Sequence, residues 1–112
     1  MTLSDLDDNL TAPKRLAAMG LLASANRVEF SYLRDHLRVT DSDLSKQLKV
    51  LIDAGYVTTK RTGKGTTRTS WFSATKKGRQ ALDRHAEALQ RLLTPVPAPQ
   101  HIPEMPSGSA PA

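Results

Sequence analysis

The residues of this chain with the greatest capacity for chemistry are its cations. From Ser45 to Arg79 the sequence carries Lys46, Lys49, Lys60, Arg61, Lys64, Arg68, Lys76, Lys77 and Arg79, opposed only by Asp53. Over the whole chain 16 Lys and Arg stand against 11 Asp and Glu, a net charge of +5. A basic segment inside a folded domain suits a polyanionic partner, and the plain alternative is a solvated surface that keeps the protein dispersed. Other chemistries lack their residues. With no cysteine, a disulfide framework, a thiolate metal site and a cysteine nucleophile are excluded. His36 and His85 have no second ligand at metal spacing. Ser31, Ser42 and Ser45 have no His–acid arrangement to activate them. Thr66-Thr67 lies in a Gly-flanked loop without the lysine-bearing helix start of a phosphate-binding loop. Neither an enzyme nor a cofactor is expected.

The elements that must position the cations can be read from periodicity and caps. Thr11-Ala12-Pro13 predicts a helix start, with Thr11 as cap and Pro13 in the first turn, where a missing N–H costs nothing. Leu16, Met19, Leu22 and Ala23 carry that helix to about Ala25. Gly20 inside it costs roughly 1 kcal/mol against alanine, which suggests the close approach of another helix. Val28-Glu29-Phe30 is short and β-prone. Ser31 is placed to cap a short helix over Tyr32 to Leu37, with Leu33 and Leu37 inward. Thr40 caps a third helix, with Asp43 at the capping-box position. Leu44, Leu48, Leu51 and Ile52 form its buried stripe, and Gly55 closes it in a left-handed conformation.

Two runs of strand character follow, 56–61 and 69–74. They flank the basic, Gly-containing tip 62–68 of a predicted hairpin. Thr75 caps a last helix to about Leu93, whose apolar residues Leu82, Ala86, Leu89 and Leu93 fall at a 4-3-4 spacing before Pro95 stops it. The order is helix, short strand, helix, helix, strand, basic hairpin tip, strand, helix. Such a chain is mainly α with a small β-hairpin (α+β), a winged helix-turn-helix. Residues 1–10 read as a flexible N-terminal arm, with Leu6 and Leu10 able to dock where a partner surface is present, and 11–94 as the folded domain. The segment 95–112, which holds six of the seven prolines, reads as a disordered tail unable to offset its ordering entropy by burial.

With one face of the third helix buried by leucine, the opposite face is exposed. At 100° per residue it carries Ser42, Lys46 and Lys49, flanked by Asp43, Ser45 and Val50, with Gln47 nearer the wheel's buried edge. Small hydroxyls and lysines suit the major groove of a duplex, and Arg61, Lys64 and Arg68 on the hairpin suit its phosphates or minor groove. The predicted DNA-binding set is therefore Ser42, Asp43, Ser45, Lys46, Gln47, Lys49, Arg61, Lys64 and Arg68. Trp71 and Phe72 point to opposite faces of one strand, Phe72 into the core and Trp71 over the back of the hairpin or into a dimer contact.

The stretch Asp43-Leu44-Ser45-Lys46-Gln47-Leu48-Lys49-Val50-Leu51-Ile52-Asp53-Ala54-Gly55-Tyr56-Val57 resembles the recognition-helix segment of MarR-type winged-helix regulators. Phe72-Ser73-Ala74-Thr75-Lys76-Lys77-Gly78-Arg79-Gln80-Ala81-Leu82 resembles their strand-to-helix junction, with Ala74 where a larger apolar residue is usual. The likeness spans roughly residues 12–93 and is greatest to small stand-alone bacterial regulators, with ArsR and PadR types sharing part of it. It implies a homodimer on a near-palindromic operator of double-stranded DNA, usually as a repressor, and a small-molecule effector as a further partner. The surplus apolar length of the last helix agrees with self-association, for which Leu16, Leu82, Ala86, Leu89, Leu92 and Leu93 are the predicted contacts. Two other uses of the fold compete: a protein–protein module and a nonspecific nucleoid-type binder. The acidic start and the lack of a long apolar run predict a cytoplasmic protein without a membrane partner.

Overall fold

The computed structural model describes residues 3–94; the predicted Pro-rich tail, 95–112, lies outside the described residues. Four helices, α1 (Pro13–Ala23), α2 (Phe30–Leu37), α3 (Asp41–Asp53) and α4 (Lys76–Leu93), surround a sheet of three strands, β1 (Val28–Glu29), β2 (Val57–Thr62) and β3 (Thr69–Ala74). The strand order is β1-β3-β2. Both pairings are antiparallel, with Val28 opposite Phe72 and Thr59 opposite the same Phe72. The predicted hairpin is thus the larger part of a sheet that β1 completes.

The core gathers one face from every helix and strand: Leu10, Met19, Leu22, Val28, Leu33, Leu44, Leu48, Leu51, Val57, Phe72 and Ala81 are buried together. Helix α1 runs through the middle, in contact with α2, α3, α4 and β3. Ile52, expected on the buried stripe of α3, packs against this cluster only in part. On the other face of β3, Trp71 is half-buried, with the Arg27 guanidinium 4.6 Å from its ring centroid and its Nε1–H donated to Thr62 Oγ1 at 3.0 Å.

Local chemistry accounts for the helix-turn-helix. Thr40 Oγ1 accepts the Asp43 N–H at 3.1 Å, as predicted. The reciprocal half of a capping box is absent, because the Asp43 carboxylate is engaged by Lys14 and Gln47 instead. At the other end of α3 the Tyr56 N–H reaches the Leu51 carbonyl and the Gly55 N–H reaches that of Ile52, both at 2.9 Å. This is a Schellman closure, and Gly55 supplies its positive φ of 81°. Between α2 and α3 the chain turns through Arg38 in the left-handed region, φ 57°, so the two helices are joined by three residues.

Four expectations need correction. The N-terminal segment is not a loose arm: it forms two short 3-10 turns, Leu3–Asp5 and Asp8–Leu10, and Leu10 is fully buried. A leucine this deep is worth about 2–3 kcal/mol of burial, enough to hold a short segment down. Thr11 closes the second of those turns, and Ala12, without a side-chain bond, is the N-cap of α1. Helix α2 begins one residue before Ser31, with Glu29 as N-cap and Phe30 as its first residue, because Phe30 packs against the core. Finally, among the described residues no element approaches Gly20: a Cβ built there meets nothing within 4 Å. Gly20→Ala should therefore raise stability by about 0.5–1 kcal/mol in urea melts. A loss would reveal a second molecule against that face of α1.

Candidate nucleic-acid interface

Helix α3 owes its exposed face to its buried one. With Leu44, Leu48 and Leu51 inward, Ser42, Ser45, Lys46 and Lys49 are exposed, as the helical wheel required. Ser45 and Lys49 then line a groove of about 300 Å³ whose far wall is Thr59 and Arg61 of β2 and Ser70 of β3, floored by Leu48 and Phe72. Three predicted residues from two elements are brought together there: Ser45, Lys49 and Arg61. Arg68 borders the adjoining notch, which shares Ser70 and reaches Ser31 at the start of α2. Lys64 is exposed at the hairpin tip.

The tip is built, not loose. Lys64 and Thr67 clasp each other, the Lys64 N–H donating to Thr67 Oγ1 at 3.2 Å and the Thr67 hydroxyl donating to the Lys64 carbonyl at 2.6 Å. Gly63 turns into this clasp with φ 86°, and a Cβ there would lie 2.4 Å from the Thr67 carbonyl oxygen. Only glycine fits. The wing therefore presents Lys64 and Arg68 from a turn of defined shape.

Asp43 and Gln47 stand apart from the rest of the predicted set. Both are half-buried and face α1. The Asp43 carboxylate is paired with Lys14 and accepts Gln47 Nε2–H at 3.0 Å. The hydrogen bond from Lys14, then that from Gln47, hold its carboxyl below the usual aspartate range. Gln47 Oε1 accepts Arg15 Nη1–H at 2.8 Å. Arg34 plays a similar part at the first residue of α3, bridging Asp35 and Asp41 at 2.9 and 3.1 Å. The two acidic groups of the α3 first turn are thus each matched by a cation from a neighbouring helix, so the face offered to a polyanion is not dominated by negative charge.

The sequence reading missed Lys14, Arg15 and Arg34, although one signal was present. Lys14 and Arg15 occupy the first turn of α1, where the helix dipole disfavours cations, and a cation there implies an outside partner. Conversely, part of the basic run is consumed by the fold. Arg79 donates to the carbonyls of Ala23 and Ala25 and so caps the end of α1. Lys77 lies over the Tyr56 ring at 5.9 Å, and Lys49 pairs with Asp53 at 3.3 Å. The last pair is well exposed and weak enough to exchange for a phosphate.

The structure thus sets a helix with an exposed basic face beside a basic wing, with a groove between them. The winged helix DNA-binding domain family matches residues 14–93. The chain belongs to this family. An uncharacterized protein of Methanocaldococcus jannaschii is 34% identical over 79 residues, which is 70% of this chain and 85% of that protein. Among solved structures, a transcriptional regulator homologue from Pyrococcus horikoshii superposes with a TM-score of 0.70 at 24% identity, covering 75% of this chain and 83% of that one. A zinc-responsive MarR family member of Lactococcus lactis superposes at 0.56 with 18% identity, covering 70% and 54%. Both superpositions show the winged-helix fold expected from the sequence. Among the described residues no group of three or more His, Cys, Asp or Glu is placed to hold a metal ion, and no helix is long and apolar enough to cross a membrane.

Helix α4 divides as two faces. Gly78, Ala81, His85 and Ala88 are buried against the domain. Of the predicted self-association residues, Leu16 and Leu82 are partly covered by the subunit's own core and Leu89 is half-buried. Ala86, Leu92 and Leu93 are exposed, the last at 81%.

Proposed function

We propose that this winged-helix protein is a homodimeric transcriptional repressor that binds a near-palindromic operator. The observation that carries the reading is the groove across which Ser45 and Lys49 of the recognition helix face Arg61, with Arg68 on the adjoining notch and Lys64 exposed at the hairpin tip. A helix that presents serines and lysines fits a major groove roughly 12 Å wide. Ser42, Ser45, Lys46 and Lys49 then supply sequence preference. Arg61, Lys64 and Arg68 neutralise phosphate or enter the minor groove, adding affinity with little base choice. Two-fold symmetry puts the half-sites about 10 bp apart, centre to centre, or a multiple of that.

The test separates the two roles. Anisotropy titrations at several salt concentrations compare a duplex from the gene's upstream region with a scrambled duplex. Arg68→Ala should weaken both alike and lower the salt slope by about 1 per lost phosphate contact. Lys46→Ala should change discrimination among operator variants by roughly 1–3 kcal/mol at the base it reads. Loss of discrimination in Arg68→Ala with none in Lys46→Ala would reverse the assignment. Absence of binding to any duplex would favour a protein–protein module, and equal affinity for both duplexes a nucleoid-type binder.

A further inference from the structure

Arg15 is a half-buried cation in the first turn of a helix, an unfavourable place for it unless its bonds are specific. They are. Its Nε–H donates to the Asn9 carbonyl at 2.8 Å and its Nη1–H to Gln47 Oε1 at 2.8 Å. From Gln47 the series continues outward, Nε2–H donating to Asp43 at 3.0 Å, with Lys14 on the other carboxylate oxygen. In the opposite direction it reaches α4. The Asp7 N–H, two residues before Asn9, donates to Nδ1 of His85 at 3.0 Å, and His85 is only 1% exposed. The Tyr56 hydroxyl donates to the Asp7 carboxylate. Burial first, and then that hydrogen bond, push the Tyr56 phenol above its usual range, so it remains a donor.

Donor and acceptor match at each step, from α4 through the N-terminal turns and α1 to the flank of α3. That flank matters because Asp43 and Gln47 interleave with Ser42, Ser45, Lys46 and Lys49. The rotation of α3 about its own axis decides which of these face outward. Leucine packing is non-directional and by itself fixes that rotation only loosely. A planar guanidinium bonded to two acceptors is directional and narrows it.

We propose that Arg15 is a positioning residue for DNA reading: through Gln47 it fixes the rotation of α3 against the N-terminal turns and so sets sequence discrimination without touching DNA. The inference deepens the DNA-binding reading and rests on it. Lysine cannot substitute, since its ammonium is a point donor on a flexible stem and does not reproduce the planar bridge between Asn9 and Gln47.

The experiment uses the full chain as Arg15→Lys, Arg15→Met, Gln47→Leu and the Arg15→Met/Gln47→Leu double variant. The probes are a duplex selected from a random library by the unmodified protein and a scrambled duplex. Anisotropy at several salt concentrations is read beside a thermal melt. In Arg15→Lys the salt slope and scrambled-DNA affinity should persist while the ratio of selected to scrambled affinity falls about tenfold. Arg15→Met and Gln47→Leu should lose a similar ratio, and the double variant no more than either, because one relay is broken once. An unchanged ratio in both Arg15 variants, whatever happens to the melt, overturns the proposal. So does a salt slope reduced by about 1 in Arg15→Met and restored in Arg15→Lys, the signature of a direct phosphate contact. Unmodified protein that selects no duplex overturns the DNA-binding reading itself, before any variant is compared.

Discussion

Gly78→Ala should be among the most damaging single-methyl changes in this protein. A Cβ at Gly78 would stand 2.2 Å from the Tyr56 carbonyl oxygen and 2.9 Å from its C and Cα atoms, all backbone. No side-chain rotation relieves a clash with backbone. The carbonyl is also fixed from another side, since it accepts the Thr75 N–H at 2.9 Å. Thr75 in turn donates its hydroxyl to Gly55 at 2.7 Å and accepts the Gly78 N–H at 2.9 Å. The start of α4 is thereby riveted to the end of α3. Inserting a methyl must lift α4 from the sheet or break the cap, at a cost of about 3 kcal/mol or more. For a domain of this size that lowers Tm by roughly 12–24 °C. Urea and thermal melts of the alanine variant give the answer, and a loss below about 1 kcal/mol would show that the junction can open without strain.

How much of this was legible in the sequence follows the range of the forces involved. The capping threonines Thr40 and Thr75, the left-handed Gly55 and the leucine stripe of α3 are local signals, and each is found where its pattern put it. The wing followed from two β-prone runs around a glycine-bearing tip. Long-range bonds were invisible. Nothing near Asp7 announces a partner 78 residues away at His85, and Leu10, though apolar enough to dock, does not announce the surface that buries it. The displaced caps at Thr11 and Ser31 share a cause: tertiary packing of Leu10 and Phe30 overrode the local preference of a hydroxyl residue for the N-cap.

The candidate interface divides in the same way. Ser42, Ser45, Lys46 and Lys49 follow from the helical wheel alone. Asp43 and Gln47 sit at the edge of that wheel, and only the geometry shows that α1 holds both. Arg79 marks the converse failure, a cation counted as part of the basic run and used instead to cap α1. Summed charge identifies a class of partner. It does not say which cations remain free to meet it.

Leu89→Glu should convert the proposed dimer to monomer, with an effect on DNA binding larger than that of any single wing substitution. The inner face of α4 is closed by small residues and His85, so Leu82, Ala86, Leu89 and Leu93 form a second row that the subunit covers incompletely. Leu92 at 43% and Leu93 at 81% exposure extend it at the end of the helix. Covering leucines of this kind by a second copy contributes about 1.5–3 kcal/mol each. Leu89 lies mid-row and half-buried, so a carboxylate there would be desolvated against an apolar partner in both copies at once. Glu87 and Arg91, paired at 3.4 Å one turn apart, mark the polar margin beside the seam. Sedimentation over a range of concentrations should give a dimer for the unmodified protein. For Leu89→Glu the dissociation constant should be raised at least about 100-fold, which at 1.4 kcal/mol per decade asks only about 3 kcal/mol from two charges. Affinity for a full operator should collapse toward that for one half-site, while the thermal melt of the monomer changes little. Unmodified protein that sediments as a monomer at tens of micromolar would leave the leucine row without this role and remove the two-fold argument for operator symmetry.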